Sequence, residues 1–361
     1  MKTLSHTILA LGVFILSFDV DVGAQQAIYS SLADSLQHLI DKNYYDSSAG
    51  LYTETNQRAT DEKPFSYLWP LCALVQAGNE MERLHPGKDY MSKVIESIGK
   101  YYDPVPPSPG YDAYPAVTGK KRDSRFYDDN QWVGLACIDA YLRNKNKRYL
   151  ELSQVIYRFM MTGFDTLSGG GLYWKEDQKN SKNACSNGPG IVLALRLYQA
   201  TRRQGYLDTA QLLYKWTNER LLSPEGLYYD NIRIPGKKID SAFYSYNSGT
   251  MIQANVLFYE LTKDPKYIDE ARRLSRASLE RFFVNGNFRG IYWFNAVLLR
   301  GYEELYRVDK DKQYLEAMLT YINNNRRKEI DGLLTGKKIK LLDVAGYLEM
   351  VCRLALLVQN P

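Results

Sequence analysis

Apolar residues recur along this chain at helical spacing, in blocks of two kinds. Blocks such as Ile191-Val192-Leu193-Ala194-Leu195 and Ala296-Val297-Leu298-Leu299 are apolar on almost every side. Others, such as residues 267–283 with Arg272, Arg273, Arg276 and Glu280, keep one charged face. A helix apolar all round belongs in a core, and a helix with one charged face covers it. The two kinds alternate six times. The step from a charged block to an apolar one passes through a glycine turn: Gly50-Leu51-Tyr52, Gly110-Tyr111, Gly171-Leu172-Tyr173-Trp174, Gly226-Leu227-Tyr228-Tyr229, Gly290-Ile291-Tyr292-Trp293 and Gly332-Leu333-Leu334. A loop follows each turn, and the apolar helices begin near Tyr67, Asp129, Asn187, Tyr246, Trp293 and Val344. Units that cannot bury an apolar face alone must stack. The pattern therefore predicts an all-α (α/α)6 barrel, with apolar helices as an inner ring, charged helices outside, and only short strands at the rim. No Gly/Ser-rich or Pro-rich stretch is long enough to divide residues 25–361, which read as one domain. The proline-rich run from Pro104 to Pro115 reads as a rigid connector.

The start of the chain stands apart. Lys2, the apolar stretch from Ile8 to Phe18 and the small residues Val22-Gly23-Ala24 have the layout of a secretory signal peptide over residues 1–24. An exported mature protein, periplasmic or extracellular, is expected. No later segment is apolar enough to span a membrane. Removing Lys2, Asp19 and Asp21 with the leader moves the formal charge from +5 to +6. That mild balance, without a dense Lys/Arg block, does not call for nucleic acid. Of the 3 histidines, His6 leaves with the leader, and His38 and His85 have no metal-ligand spacing, so no metal or cofactor is expected. The 4 cysteines form no CxxC pair, and Cys72, Cys137 and Cys352 sit in apolar helical patterns, as buried small hydrophobes do. Tyrosine is in excess, 30 against 12 Phe. A flat face with a hydroxyl suits carbohydrate, although most of these tyrosines read as core.

Tyr127-Asp128-Asp129-Asn130-Gln131-Trp132 carries the chemistry. Adjacent carboxylates disfavour each other's ionisation, so one pKa rises while the other is held down, as an acid and a nucleophile sharing one site require. The competing explanation is a helix N-terminus, where carboxylates meet free N–H groups and the positive end of the dipole. Topology weighs against capping alone. In a barrel of hairpins every outer-to-inner connection emerges at one end. Asp128-Asp129, Asn187-Gly188, Tyr246-Asn247 and Arg289-Gly290 should then converge on one cleft.

With those segments in order, the chain resembles glycoside hydrolase family 76, the α-1,6-mannanases, from about Tyr44 to the last helix. The resemblance rests on the Tyr127–Trp132 run, Gly170-Gly171-Leu172-Tyr173-Trp174, Asn183 to Gly188, Tyr246-Asn247-Ser248-Gly249 with Ala254-Asn255, Tyr259 to Thr262, and Phe288-Arg289-Gly290-Ile291. It implies endo attack on an α-1,6-mannan backbone with retention, Asp128 being the nucleophile and Asp129 the general acid/base. A retaining pair needs carboxyls about 5–5.5 Å apart, a separation adjacent residues at a helix start can reach. Asn187 either caps its helix or bonds a mannose hydroxyl. Tyr246 and Asn247 are expected to contact sugar. Asp240 is a hydroxyl ligand or a turn acid, and Trp132 and Trp174 are subsite platforms or core. Arg289 stands where the family more often has a lysine.

Three alternatives share these features. The same barrel serves exo-mannosidases, uronide hydrolases and epimerases; epimerases lean on histidines, which are scarce here. Fungal family members are thought to transfer glycans and carry a lipid-anchor signal, whereas Leu354 to Pro361 reads as the end of the last inner helix. A glycan-binding protein without turnover would not need the paired aspartates. The expected partner is α-1,6-mannan or its oligosaccharides, bound by a monomer.

Overall fold

The structure is a computed structural model and describes residues 22–359 except 58, 60, 61, 117–122 and 237. The leader assigned to residues 1–24 lies outside the described residues, apart from Val22–Ala24, which open the first helix. Among the described residues no helix is long and apolar enough to cross a membrane.

Among the described residues twelve α-helices follow one another: α1 (Val22–Tyr44), α2 (Leu68–Leu84), α3 (Met91–Gly99), α4 (Tyr127–Asn144), α5 (Lys147–Met161), α6 (Ala184–Thr201), α7 (Gln204–Leu221), α8 (Ser245–Thr262), α9 (Pro265–Phe282), α10 (Tyr292–Asp309), α11 (Gln313–Leu334) and α12 (Leu341–Gln359). The even-numbered helices pack in a closed circuit, α2 on α4, on α6, on α8, on α10, on α12 and back to α2. Each odd helix covers an even one, and α1 covers α12, joining the two ends of the fold. This is the (α/α)6 barrel that the alternating blocks predict. The reason is visible in α8, where every residue from Ser245 to Phe258 is buried, and in its cover α9, where only one stripe, including Ile268, Ala271, Leu274 and Phe282, faces inward.

Small residues let the inner helices close. A β-carbon on Gly249 would sit 2.4 Å from the Val297 carbonyl of α10, and one on Gly301 would sit 2.7 Å from the Gly249 carbonyl. The ring is pinned at its far end by buried ion pairs. Arg300 grips Glu349 through Nε and Nη2 at 2.6 and 2.7 Å, and Arg353 reaches Glu349, Glu303 and Glu80 at 2.7–2.9 Å.

A repeat finer than the glycine turns closes the inner helices. Each of α4, α6, α8 and α10 ends in a basic residue in the left-handed region: Lys145, Arg202, Lys263 and Lys310, with φ of 59–60°. Each returns its backbone N–H to the carbonyl of a tyrosine four residues earlier, Tyr141, Tyr198, Tyr259 or Tyr306, at 2.8–3.0 Å. The cation then lies 5.2–5.8 Å from the centre of that same ring. Glycine is the usual residue here. The ring contact offsets part of the left-handed penalty by a cation–π attraction.

Short strands sit where the chain passes from an outer to an inner helix. β1 (Tyr45–Asp46) pairs with β2 (Leu51–Tyr52), β3 (Tyr102–Asp103) with β4 (Gly110–Tyr111), and β8 (Phe283–Val284) with β9 (Asn287–Phe288), all antiparallel. A larger antiparallel sheet runs β5 (Ser181–Asn183), β6 (Tyr229–Arg233), β7 (Ile239–Phe243), with β6 in the middle. The sixth predicted turn, at Gly332, falls inside α11; the chain turns at Thr335-Gly336 instead, where Gly336 supplies φ +74°. All 4 cysteines are buried and free.

Candidate active site

A cleft of about 940 Å³ opens at the end of the barrel where the inner helices begin, with Asp128 and Asp129 among its lining residues. Both occupy the first turn of α4, entered from Phe126 in extended conformation. That turn is tied to its neighbours. The Tyr127 N–H donates to the Trp174 carbonyl at 3.0 Å, and the Trp174 N–H donates to Ser181 at 3.1 Å. Phe126 pairs with Lys175 as an isolated bridge, and the Phe126 and Trp174 rings lie 4.9 Å apart.

The two carboxyls are not equivalent. The indole Nε1 of Trp174 donates to Oδ2 of Asp128 at 3.1 Å, and the other oxygen, Oδ1, is buried without a hydrogen-bond partner. Burial raises Asp128 to about 6, against the opposing pull of hydrogen bonding from Cys185, Trp174 and the backbone. Asp129 has no such compensation: burial, then repulsion from Asp128, push it well above the carboxylate range. Burial and mutual repulsion thus favour a pair that keeps a proton, with Asp129 the more reluctant of the two to ionise. Cys185 is kept as a neutral thiol by burial and by Asp128 beside it. Cys185 at the start of α6 and Tyr246 on α8 sit close enough to Asp128 for each to be influenced by its charge, so polar groups run from α4 to α8.

The three-stranded sheet adds a row of acceptors to the same cleft. Asn183, Asn231 and Asp240 are register partners across β5, β6 and β7, so their side chains share one face. The register shifts between Tyr229 and Asn231, and Asp230 joins Asn231 in lining the cleft. Re-aiming a side chain is what a bulge beside a site does. Asn231 donates to Asp230 at 2.8 Å, and the amide oxygens of Asn183 and Asn231 are both buried without partners. Burial raises the Asp230 carboxyl. Aromatic rings complete the lining: Tyr67, Trp69, Trp174, Tyr244 and Phe294, with Tyr246 stacked on Phe294 at 4.1 Å.

Of the residues singled out from sequence, Asp128, Asp129, Tyr246, Asp240, Trp132 and Trp174 all line this cleft. Trp132 does so from below. It is 1% exposed and packs edge-on against Trp293 at 5.0 Å, with the Arg300 guanidinium 5.5 Å from its ring.

Asn187, Asn247 and Arg289 are corrections, since none of them lines the cleft. Asn187 is buried and spends its amide on backbone, accepting from Leu172 N–H at 2.8 Å and donating to the Leu172 and Asn183 carbonyls at 3.1 and 2.8 Å. It fastens the glycine turn to the inner helix. Asn130 does the same for the preceding unit, clasping both backbone groups of Tyr111 at 2.8 and 3.0 Å. Asn247 is buried in α8, and Arg289 is exposed beside β9. Sequence reasoning missed Asp230, Asn183 and Asn231; the polar pair Asp230-Asn231 between Tyr229 and Ile232 interrupts strict alternation, at the place where the register shifts, so the strand gave no clean period-2 signal.

The chain matches glycosyl hydrolase family 76 over residues 28–321. It is 30% identical over 175 residues to the mannan endo-1,6-alpha-mannosidase of Saccharomyces cerevisiae, covering 44% of this chain and 39% of that protein. The match thus spans about two fifths of that relative. The fold is similar to that of a family 76 alpha-mannanase from Bacteroides thetaiotaomicron, with TM-score 0.84 and 25% identity over 93% of this chain and 98% of that one. It is also similar to an alpha-1,6-mannanase of Salegentibacter sp., with TM-score 0.72 and 25% identity over 91% of this chain and 99% of that one. That structure is an inactive variant, with two consecutive aspartates replaced by alanine, in complex with alpha-1,6-mannotetrose.

Proposed function

Because the chain belongs to glycosyl hydrolase family 76, we propose that it is an endo-acting, retaining α-1,6-mannanase with Asp128 as nucleophile and Asp129 as general acid/base. The observation that carries the roles is the asymmetry of the pair: the Trp174 indole donates to Asp128, while burial and repulsion from Asp128 favour the protonated form of Asp129. In the first step Asp129 gives that proton to the glycosidic oxygen while Asp128 bonds to the anomeric carbon and the leaving sugar departs. Asp129, now ionised, takes a proton from the incoming water, whose oxygen displaces Asp128 and releases the sugar with its original configuration.

The acceptor wall of Asn183, Asn231, Asp230 and Asp240 suits the hydroxyl donors of a sugar, and the rings around it suit C–H faces. The shape supports attack within a chain. The connections 45–67, 100–126, 162–183 and 222–244 are long, while 283–291 and 335–340 are short, so the rim is built up on one side only. A long glycan can leave across the short connections. The mature enzyme is read as an exported monomer, one catalytic domain from residue 25, working without metal or cofactor.

Product analysis on unbranched α-1,6-mannan tests this reading. Short manno-oligosaccharides are expected, with α-configured reducing ends when first released, and none from Asp128→Ala or Asp129→Ala. Mannose alone would mean exo attack. Binding without turnover by the unmodified protein would reduce it to a glycan-binding barrel.

A further inference from the structure

Trp174 stands on the cleft with 39% of its surface exposed, and exposure alone makes it a platform for a sugar ring. Its hydrogen bonds say something else as well. The side chain spends its one donor on Oδ2 of Asp128 at 3.1 Å. Its backbone is locked at both polar groups, the carbonyl receiving the N–H of Tyr127 at 3.0 Å and the N–H reaching Ser181 at 3.1 Å. The residue it clasps through the backbone is thus the immediate neighbour of the residue it clasps through the side chain. Phe126, on the other side of Tyr127, packs against the ring at 4.9 Å. Rigid contact on three consecutive residues, Phe126 just before α4 and Tyr127 and Asp128 in its first turn, is more than a platform needs and is what orienting a carboxylate requires.

The remaining carboxylate oxygen completes the geometry. Oδ1 of Asp128 is buried at the cleft and lacks a hydrogen-bond partner. We propose that Trp174 is a positioning residue: its indole N–H pins Oδ2 of Asp128 and leaves Oδ1 as the oxygen that forms the bond to the anomeric carbon. This rests on the assignment of Asp128 as nucleophile. A neutral indole holds the carboxylate without being able to protonate it, so the charge stays on the attacking group through the approach of the substrate. When Oδ1 becomes an ester oxygen, Oδ2 becomes the carbonyl oxygen of the intermediate and keeps the same donor. That donor then serves the departure of Asp128 in the second step. The other titratable groups around Asp128 are Asp129 on the same helix, Cys72 on α2, Cys185 at the start of α6, Tyr246 on α8 and Asp230 on β6. None of them replaces an indole donor on Oδ2.

The test is Trp174→Phe, which keeps an aromatic face and deletes the N–H, beside Trp174→Ala and Asp128→Ala. Trp174→Phe is expected to lower kcat about tenfold or more with KM changed less than about threefold. The acid limb of kcat/KM should move up by about one pH unit, as loss of a hydrogen bond to a charged group implies. Labelling of Asp128 by a 2-deoxy-2-fluoro-α-1,6-mannobiosyl fluoride, read by peptide mass, should slow in parallel. Wild-type kinetics and an unmoved acid limb in Trp174→Phe, with KM raised only in Trp174→Ala, would overturn the proposal and leave Trp174 a platform. If Trp174→Phe does not fold, benzothienylalanine at the same position removes only the N–H and is held to the same outcomes. An active Asp128→Ala, or label on another residue, would instead overturn the nucleophile assignment itself.

Discussion

Replacing Asp129 by asparagine separates the two chemical steps and tests the roles of the pair. Asp129 is held well above the carboxylate range by burial and by Asp128, and Asp128 titrates at about 6. Activity needs Asp128 ionised and Asp129 protonated. For the unmodified protein kcat/KM should therefore rise as pH passes about 6 and fall again as pH passes the higher value of Asp129. Asp129→Asn abolishes the acid. On mannan the loss should be about 10²–10⁴-fold, the usual scale for general acid catalysis, equivalent to about 3–5 kcal/mol of barrel-bound transition-state stabilisation. On a 2,4-dinitrophenyl α-1,6-mannobioside, whose leaving group needs no proton, the first step should survive and the alkaline limb should vanish. The acid limb should stay near 6, because the main cause of the Asp128 shift is burial rather than its neighbour. Water then lacks its base, so a burst of dinitrophenolate should precede a slow steady state. Azide needs no base; it should restore turnover and give the α-glycosyl azide. In Asp128→Ala, azide should occupy the nucleophile's place and give the β-azide. Azide products of the opposite configuration from each variant would exchange the roles, and an alkaline limb surviving in Asp129→Asn would remove Asp129 from that limb.

Three further outcomes follow from the packing. Asp128→Asn should raise the unfolding temperature at neutral pH. A carboxyl whose folded pKa is raised above 3.8 binds its proton more tightly when folded, so the native state loses stability as pH climbs towards 6; the gain should vanish below about pH 4, and a gain independent of pH would sink the linkage argument. Asn187→Ala strips the buried Leu172 N–H of its acceptor and should cost about 2–3 kcal/mol in urea denaturation. It should lower kcat as well, since Trp174 follows two residues after Leu172; full activity at normal stability would make the clasp incidental. Lys263→Ala should be less stable than Lys263→Gly by about 1 kcal/mol, because only glycine escapes the penalty at φ 59°; equal midpoints would mean the turn relaxes.

Periodicity carried the barrel, because helices apolar all round and helices with one charged face are distinguishable without any contact being known. The number of helices and the starts of the inner ones were legible for this reason. The acidic pair was legible too, as adjacent carboxylates at a helix start are a local feature. What sequence could not supply was direction. Asn187 and Tyr246 stand at equivalent junctions, yet one amide points back into the glycine turn and the other ring faces the cleft. Junction residues share a place in the fold but not a side of the helix. The sheet wall was invisible for a different reason. Asn183, Asn231 and Asp240 belong to three strands far apart in the chain, and only their register brings them into one row. Nor could the local sequence break the symmetry of Asp128 and Asp129; the donor that does so is Trp174, 46 residues away. The tyrosine and basic residue spaced four apart at the ends of α4, α6, α8 and α10 were there to be read, but nothing in a lysine announces a left-handed turn.

Those four left-handed caps divide the molecule's freedom unequally. At their end the chain reverses through Lys145-Asn146, Arg202-Arg203 and Lys263-Asp264, with no slack to absorb an insertion. At the other end the connections vary widely in length, and clasps such as those of Asn130 and Asn187 fix them to the inner helices at single points. Changes of length at the capped end therefore disturb folding, whereas at the cleft end, away from the clasps, they alter selectivity first. A barrel made this way behaves as a chassis: whole connections can be transplanted from one sugar-handling relative to another while the frame beneath them stays unedited.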